Sequence, residues 1–264
     1  MKIAFFDIDG TMVNVPHGLM KPTEETMRVL KEFQSQGNYI VVATARGSVP
    51  DTIKDIHFDG YIHNDGHYII LDNEILIDDI FSEEEILKQL QVYQKYNGRY
   101  MFSGHVDSWN PFLDDELVIK HREMFMGTSE RPEGVIEHFE AKDVDAIACC
   151  VLFDSVEELD KCYHELEDDF TMVPYRTGLI RMDVYRKGFT KGTACEYLYQ
   201  KLNIDKQDSY AFGDGINDKE MLMLVGHGIA MGNGIDEIKE IADDITDTVD
   251  NDGIAKAFKK YFDI

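Results

Sequence analysis

Short apolar runs alternate with amphipathic stretches along the first 80 residues. Ile3 to Phe6 and Tyr39 to Ala43 are apolar at successive positions, which suits strands buried on both faces of a sheet. Between them, Pro22-Thr23-Glu24-Glu25 opens a helix with Met27, Leu30 and Phe33 on one side and Gly37 as its stop. Val49 to His57 is expected to be a short helix, followed by an apolar Tyr61-Ile62 and an Asn64-Asp65-Gly66 turn. Tyr68 to Ile77 then reads as a hairpin bending at Asp72-Asn73. This rhythm predicts βαβ units in a parallel sheet covered by helices.

The pattern changes near Phe81. Glu83 to Tyr96 is expected to be a helix with Ile86, Leu87 and Leu90 on one face, followed by strands near Arg99 to Ser103. A helix near Asp115 to Phe125, a strand from Ala146 to Phe153 and a helix from Val156 to Leu166 come next. Strands over Phe170 to Tyr175 and Leu179 to Tyr185 complete an α+β module. The opening rhythm then resumes, with helices over Lys191 to Leu202, Asp218 to Val225, Ile235 to Ala242 and Gly253 to Phe262. Strands over Ser209 to Phe212 and Gly228 to Met231 lie among them. The expected architecture is a Rossmann-like α/β core of residues 1–80 and 186–264, with residues 81–185 inserted as an α+β cap.

Charge narrows the choice of partner. With 26 basic against 51 acidic residues the net charge is −25, which argues against nucleic acid or an anionic membrane. An anionic substrate would need a metal and a well-placed Lys or Arg. Cys149, Cys150, Cys162 and Cys195 lack Cys-x-x-Cys spacing, so a reducing compartment fits and a cytoplasmic location is expected. No apolar run approaches the ~20 residues that cross a bilayer.

Chemistry enters where the first strand ends. Asp7 and Asp9 stand one residue apart, followed by Gly10 and Thr11. Two adjacent carboxylates leaving a buried strand repel each other and lose water, a conflict that a divalent cation would remove. Gly10 would let the backbone bend around a bound anion. Alone, the string suits the start of a solvated loop equally well. Ala211 to Asp218 strengthens the first reading: a strand ends at Phe212, and Gly213, Asp214, Gly215, Asn217 and Asp218 follow. Thr44 ends the second strand, so three strand ends carry acids or a hydroxyl where an α/β sheet binds its ligands.

The motifs resemble those of the haloacid dehalogenase-like hydrolases, specifically the Cof-type phosphatases with a large inserted cap. Asp7-Ile-Asp-Gly-Thr11, strand-terminal Thr44, Lys191 opening a helix, and Gly213-Asp-Gly-Ile-Asn-Asp218 match the four motifs in order. The resemblance implies that Asp7 attacks phosphorus and forms an aspartyl-phosphate while Asp9 moves protons. It implies Mg²⁺ held by Asp7, the Asp9 carbonyl and Asp214, with Asp218 and Asn217 nearby. Thr44, Gly10, Lys191 and Asn217 would contact the phosphate. Arg46 would help there or meet the cap, unless it is an ordinary surface arginine. The implied substrate is a small phosphorylated metabolite, a sugar phosphate or a phosphorylated cofactor, over which the cap closes.

Other readings weigh against this one. A hexose-phosphate mutase would use the same nucleophile and pass the phosphoryl group to a second hydroxyl. A phosphate-binding signalling module would carry similar residues without turnover, on about half this length. An ion-pumping ATPase would need membrane spans. His63 and His67 have a metal-like spacing that the intervening turn breaks, and Lys187 reads as a linker residue. Tyr100, Phe102, Trp109 and Phe112 either line a substrate pocket or fill the cap core.

Overall fold

Ile3–Phe6 (β1) is buried at all four positions and lies in the middle of the sheet that organises the first half of the chain. A computed structural model describes residues 1–264. Helix α1 (Glu24–Ser35) starts where the Thr23 side chain accepts from the Thr26 N–H, and turns Val29, Leu30 and Phe33 inward. Strand β2 (Tyr39–Ala43) pairs parallel with β1, and β3 (Gly60–His63) pairs parallel with β2. The hairpin of β4 (Tyr68–Leu71) and β5 (Glu74–Asp78) turns through Asp72 and Asn73, both at positive φ. The helix expected over Val49 to His57 is absent, and turns take its place. Pro50 and two aspartates disfavour a helix there, and Ile53 is the deeply buried anchor of the stretch.

Helix α2 (Glu83–Lys95) begins with a reciprocal Ser82 and Glu85 capping box. Its buried face is Ile86, Gln89, Val92 and Tyr93, while Leu87 is 44% exposed, a correction to the expected face. Leu87 lies about 100° round the helix from Ile86, which turns it outward. Strands β6 (Arg99–Ser103) and β7 (Ser108–Trp109), helix α3 (Glu116–Met126) and β8 (Val135–Ile136) follow. Then come β9 (Ala148–Leu152), α4 (Val156–Leu166), β10 (Phe170–Tyr175) and β11 (Arg181–Arg186). These strands form one sheet ordered β10-β11-β9-β6-β7-β8, antiparallel except at β7–β8. Phe102 and Trp109 are buried in this unit's core, whereas Tyr100 and Phe112 line a cavity of about 650 Å³.

The chain then returns to the first sheet. Helix α5 (Lys191–Lys201), β12 (Ser209–Gly213), α6 (Lys219–Leu224) and β13 (His227–Ala230) are followed by α7 (Asp236–Ile241), β14 (Asp244–Ile245) and α8 (Gly253–Phe262). The sheet order is β14-β13-β12-β1-β2-β3-β4-β5, parallel from β14 through β3. Ala4 and Phe6 face a cluster with α1 and α8, while Ile3 and Phe5 face one with α5, α6 and α7. Helices therefore cover both faces, and this explains the unbroken apolar runs of the central strands. Two compact units result, residues 1–77 with 189–264, and residues 78–188.

Candidate active site

The first sheet changes direction at β1: successive strands run to one side through β2 and β3, and to the other through β12, β13 and β14. A crevice beyond the strand ends forms at such a switch point. Phe6 pairs with both Val42 and Phe212, so the three strands end level. Asp7, Thr44 and Asp214 lie just past those ends, on turns that leave the sheet together.

Lys191 holds the centre. Thr190 caps α5 by accepting from the Thr193 N–H, which places Lys191 in the first turn with only 2% of its surface exposed. Its Nζ donates to Asp7 Oδ1 at 2.8 Å and to Asp218 Oδ1 at 2.7 Å. The other Asp218 oxygen accepts from the backbone N–H groups of Asp214 and Gly215, each at 2.9 Å. Asp214 Oδ1 accepts from the Thr11 hydroxyl at 3.0 Å. Carboxylate oxygens of Asp7, Asp214 and Asp218 lie within 4.8 Å of one another.

Two glycines make room for this packing. Gly10 has φ of +87°, and a Cβ there would stand 2.1 Å from Asp214 Oδ2. A Cβ at Gly213 would meet the Asp218 side chain at 2.5 Å. The turn is further tied by Asn233, whose Nδ2 donates to the Gly10 carbonyl at 2.7 Å and whose Oδ1 accepts from the Val249 N–H.

The cluster is short of positive charge. Burial disfavours the Lys191 ammonium, yet Asp218, Asp7 and Asp65 outweigh that penalty and hold its pKa well above the ordinary lysine value. Burial raises the Asp7 carboxyl well above its usual range, against the pull of Lys191. Burial, with Asp218 adding to it, pushes Asp214 up to about 7. One ammonium cannot neutralise so many closely packed carboxylates. Hard oxygen donors in excess of positive charge are what a divalent ion such as Mg²⁺ requires, so the residues present fit that group.

Asp9 and Arg46 lie at the rim. Arg46 donates through Nε and Nη2 to the two Asp9 oxygens, at 2.6 and 2.8 Å, and both side chains are partly exposed. The Arg46 N–H also donates to Thr44 Oγ1 at 3.1 Å, an arrangement that leaves the buried hydroxyl its own proton to offer. Asn217 Nδ2 donates to Asp65 Oδ1 at 3.2 Å. Asp65, which the sequence presents only as part of an Asn-Asp-Gly turn, lies 3.8 Å from Lys191 Nζ and is a site residue that sequence reasoning does not reach. Its position just past the end of β3, a fourth strand end beside those of β1, β2 and β12, is the signal the sequence offers. Lys187 instead donates to the Asp168 carbonyl in the second unit, and His63 Nδ1 lies 3.3 Å from the Arg46 carbonyl.

The model of the haloacid dehalogenase-like hydrolase family matches residues 4–258. A Bacillus subtilis protein named "Putative phosphatase YkrA" is 30% identical over 263 residues, covering 98% of this chain and 97% of the relative. A second B. subtilis relative, the 5-amino-6-(5-phospho-D-ribitylamino)uracil phosphatase YitU, is 24% identical over 98% of this chain and 96% of its own. The solved structure of the subclass IIB sugar phosphatase BT4131 superposes with a TM-score of 0.83 at 26% identity, covering 100% of both chains.

Proposed function

The chain belongs to the haloacid dehalogenase-like hydrolases, and from that premise we propose that it is a Mg²⁺-dependent phosphatase of small phosphate monoesters working through an aspartyl-phosphate on Asp7. The observation that carries this reading is the buried ammonium of Lys191 between Asp7 and Asp218, with the Asp214 carboxylate beside them.

Lys191 orients Asp7 through one carboxylate oxygen, and the other oxygen is the attacking atom. The ammonium also faces the transferring group and lowers the repulsion between an anionic nucleophile and an anionic ester. Thr44 donates its hydroxyl proton to a phosphoryl oxygen, and the Gly10 turn, whose own N–H is held by the Val13 carbonyl, shapes the backbone round the same group. Asp9 gives a proton to the departing ester oxygen, then accepts one from the water that releases phosphate from Asp7. Arg46 must let go of Asp9 for either transfer, and the incoming phosphate is the natural competitor for its guanidinium. Asp7, Asp214 and the Asp9 carbonyl would hold Mg²⁺, with Asp218 orienting the Asp214 turn. When bound, the ion supplies charge neutralisation at the phosphoryl oxygens.

The similarity to a sugar phosphatase and to a phosphatase of a ribityl phosphate supports a polyhydroxylated leaving group. We assign the choice among such esters to residues 78–188. Four free cysteines suit a reducing compartment, and we place the enzyme in the cytoplasm. No helix is long and apolar enough to cross a membrane.

The test is phosphate release from a panel of sugar and polyol phosphates, with Mg²⁺ or with EDTA. Wild type should release phosphate only with Mg²⁺, and Asp7→Asn should release none. Undiminished turnover by Asp7→Asn would overturn the nucleophile, and turnover in EDTA would overturn the metal. Conversion of a hexose 1-phosphate to its 6-phosphate without free phosphate would make the protein a mutase.

A further inference from the structure

Asn64, Asp65 and Gly66 have consecutive positive φ angles of 49°, 50° and 113°. Two of these residues carry a Cβ, and such a conformation persists only where surroundings enforce it. Here they do. The Asn64 N–H donates to the Arg46 carbonyl and the Asp65 N–H to the Thr44 carbonyl. On the other side the turn is pressed against the start of α5: a Cβ at Gly66 would stand 2.4 Å from the Thr190 carbonyl oxygen. The strained turn thus bridges the loop of Thr44 and Arg46 to the residue preceding Lys191, and buries the Asp65 carboxylate among them.

Asp65 meets two groups assigned to the phosphate. Its Oδ1 accepts from Asn217 Nδ2 and lies 3.8 Å from Lys191 Nζ, too far for a hydrogen bond but close enough for an ion pair. Lys191 already gives one proton to Asp7 and one to Asp218. Its third proton makes no hydrogen bond to Asp65 at this distance, and a bound phosphate would compete with the Asp65 charge for it. A neutral amide could hold Asn217 equally well; what the carboxylate adds is negative charge beside the Lys191 ammonium.

We propose that Asp65 is an electrostatic positioning residue that fixes Asn217 and opposes phosphate at Lys191, tilting the site toward its cation and toward release of the product. The proposal rests on the reading of Lys191 and Asn217 as phosphate contacts. The charge of Asp65 works in opposite directions on the two ligands, attracting a divalent ion and repelling an oxyanion.

Asp65→Asn keeps the shape and an acceptor for Asn217 but removes the charge, while Asp65→Ala removes both. Binding of inorganic phosphate to the Mg²⁺-loaded protein, and of Mg²⁺ alone, is measured calorimetrically for wild type and both variants. Asp65→Asn is expected to bind phosphate about fivefold more tightly and Mg²⁺ about fivefold more weakly, with stronger inhibition by product. A merely structural role would weaken both ligands together, and a melting curve shows whether either variant is folded. Equal affinities for wild type and a folded Asp65→Asn would overturn the charge role. Loss of phosphate binding in wild type itself would overturn the phosphate-site reading, and the proposal with it. Asp65→Ala should lose phosphate affinity relative to Asp65→Asn, because Asn217 is then unheld; no difference between them would remove the Asn217 part.

Discussion

Lys191 and Asp218 form an ion pair at 2.7 Å in which both side chains are sealed from solvent and the second Asp218 oxygen is held by two backbone N–H groups. Removing one partner of a buried pair leaves the other charge without water or counterion. Lys191→Met is therefore expected to destabilise the protein by about 3–5 kcal/mol in urea unfolding. It should also abolish turnover. Adding Asp218→Asn should restore part of the stability and none of the activity.

Gly10 and Gly18 offer a controlled comparison. Their φ angles are nearly equal, +87° and +85°, but a Cβ at Gly18 would meet nothing within 4 Å. Gly18→Ala should cost only the backbone penalty, about 1–2 kcal/mol, and keep its kinetics. Gly10→Ala drives a methyl into the Asp214 carboxylate, so Mg²⁺ affinity by calorimetry and kcat/KM should each fall at least tenfold, on the order of a 1.4 kcal/mol loss.

The pH dependence follows from Asp214. Its folded pKa, about 7, stands above that of an unfolded aspartate. The folded state therefore holds the proton more tightly, and between about pH 4 and pH 7 it binds more protons than the unfolded state. The stability from this group is complete at the acid end and is lost as pH rises to about 7. Metal-free wild type should lose stability relative to Asp214→Asn across that window, followed by melting temperature. Saturating Mg²⁺ should abolish the difference, adding about 2.7 kcal/mol at a hundredfold excess over Kd.

Arg46 and Asp9 form a partly exposed pair, so breaking it should change stability by no more than about 1 kcal/mol. Its effect belongs to turnover. Arg46→Gln is expected to raise KM for a phosphate ester about tenfold through loss of the competing guanidinium contact, roughly 1.4 kcal/mol. Arg46→Lys, which keeps charge but not the two-pronged geometry, should recover part of that loss. Steady-state kinetics on the ester that wild type prefers decides it.

Strand ends were the most legible part of the chain, because β1, β2 and β12 are buried on both sides and read as unbroken apolar runs. The joining of Lys191 to Asp7, 184 positions away, has no local signature. It followed from the family's motif order. Asp65 escaped notice for a physical reason: Asn-Asp-Gly is as good a surface turn as it is a strained buried one, and only the packing of Gly66 on Thr190 distinguishes them. The Val49–His57 stretch has helical spacing at too few positions to overcome its proline and aspartates. Leu87 shows the limit of counting apolar residues without their angle around the helix.

The place of β1 also governs when the enzyme can come into being. Its two neighbours are β2, made early, and β12, made some 170 residues afterwards, since Phe6 pairs with Val42 and Phe212. A nascent chain halted before residue 209 would hold Asp7 on an open sheet edge, with Asp214 and Asp218 still unmade. Synthesis from the N-terminus thus makes Asp7 and Thr44 early and withholds Asp214 and Asp218 until residues 78–188 have all been made.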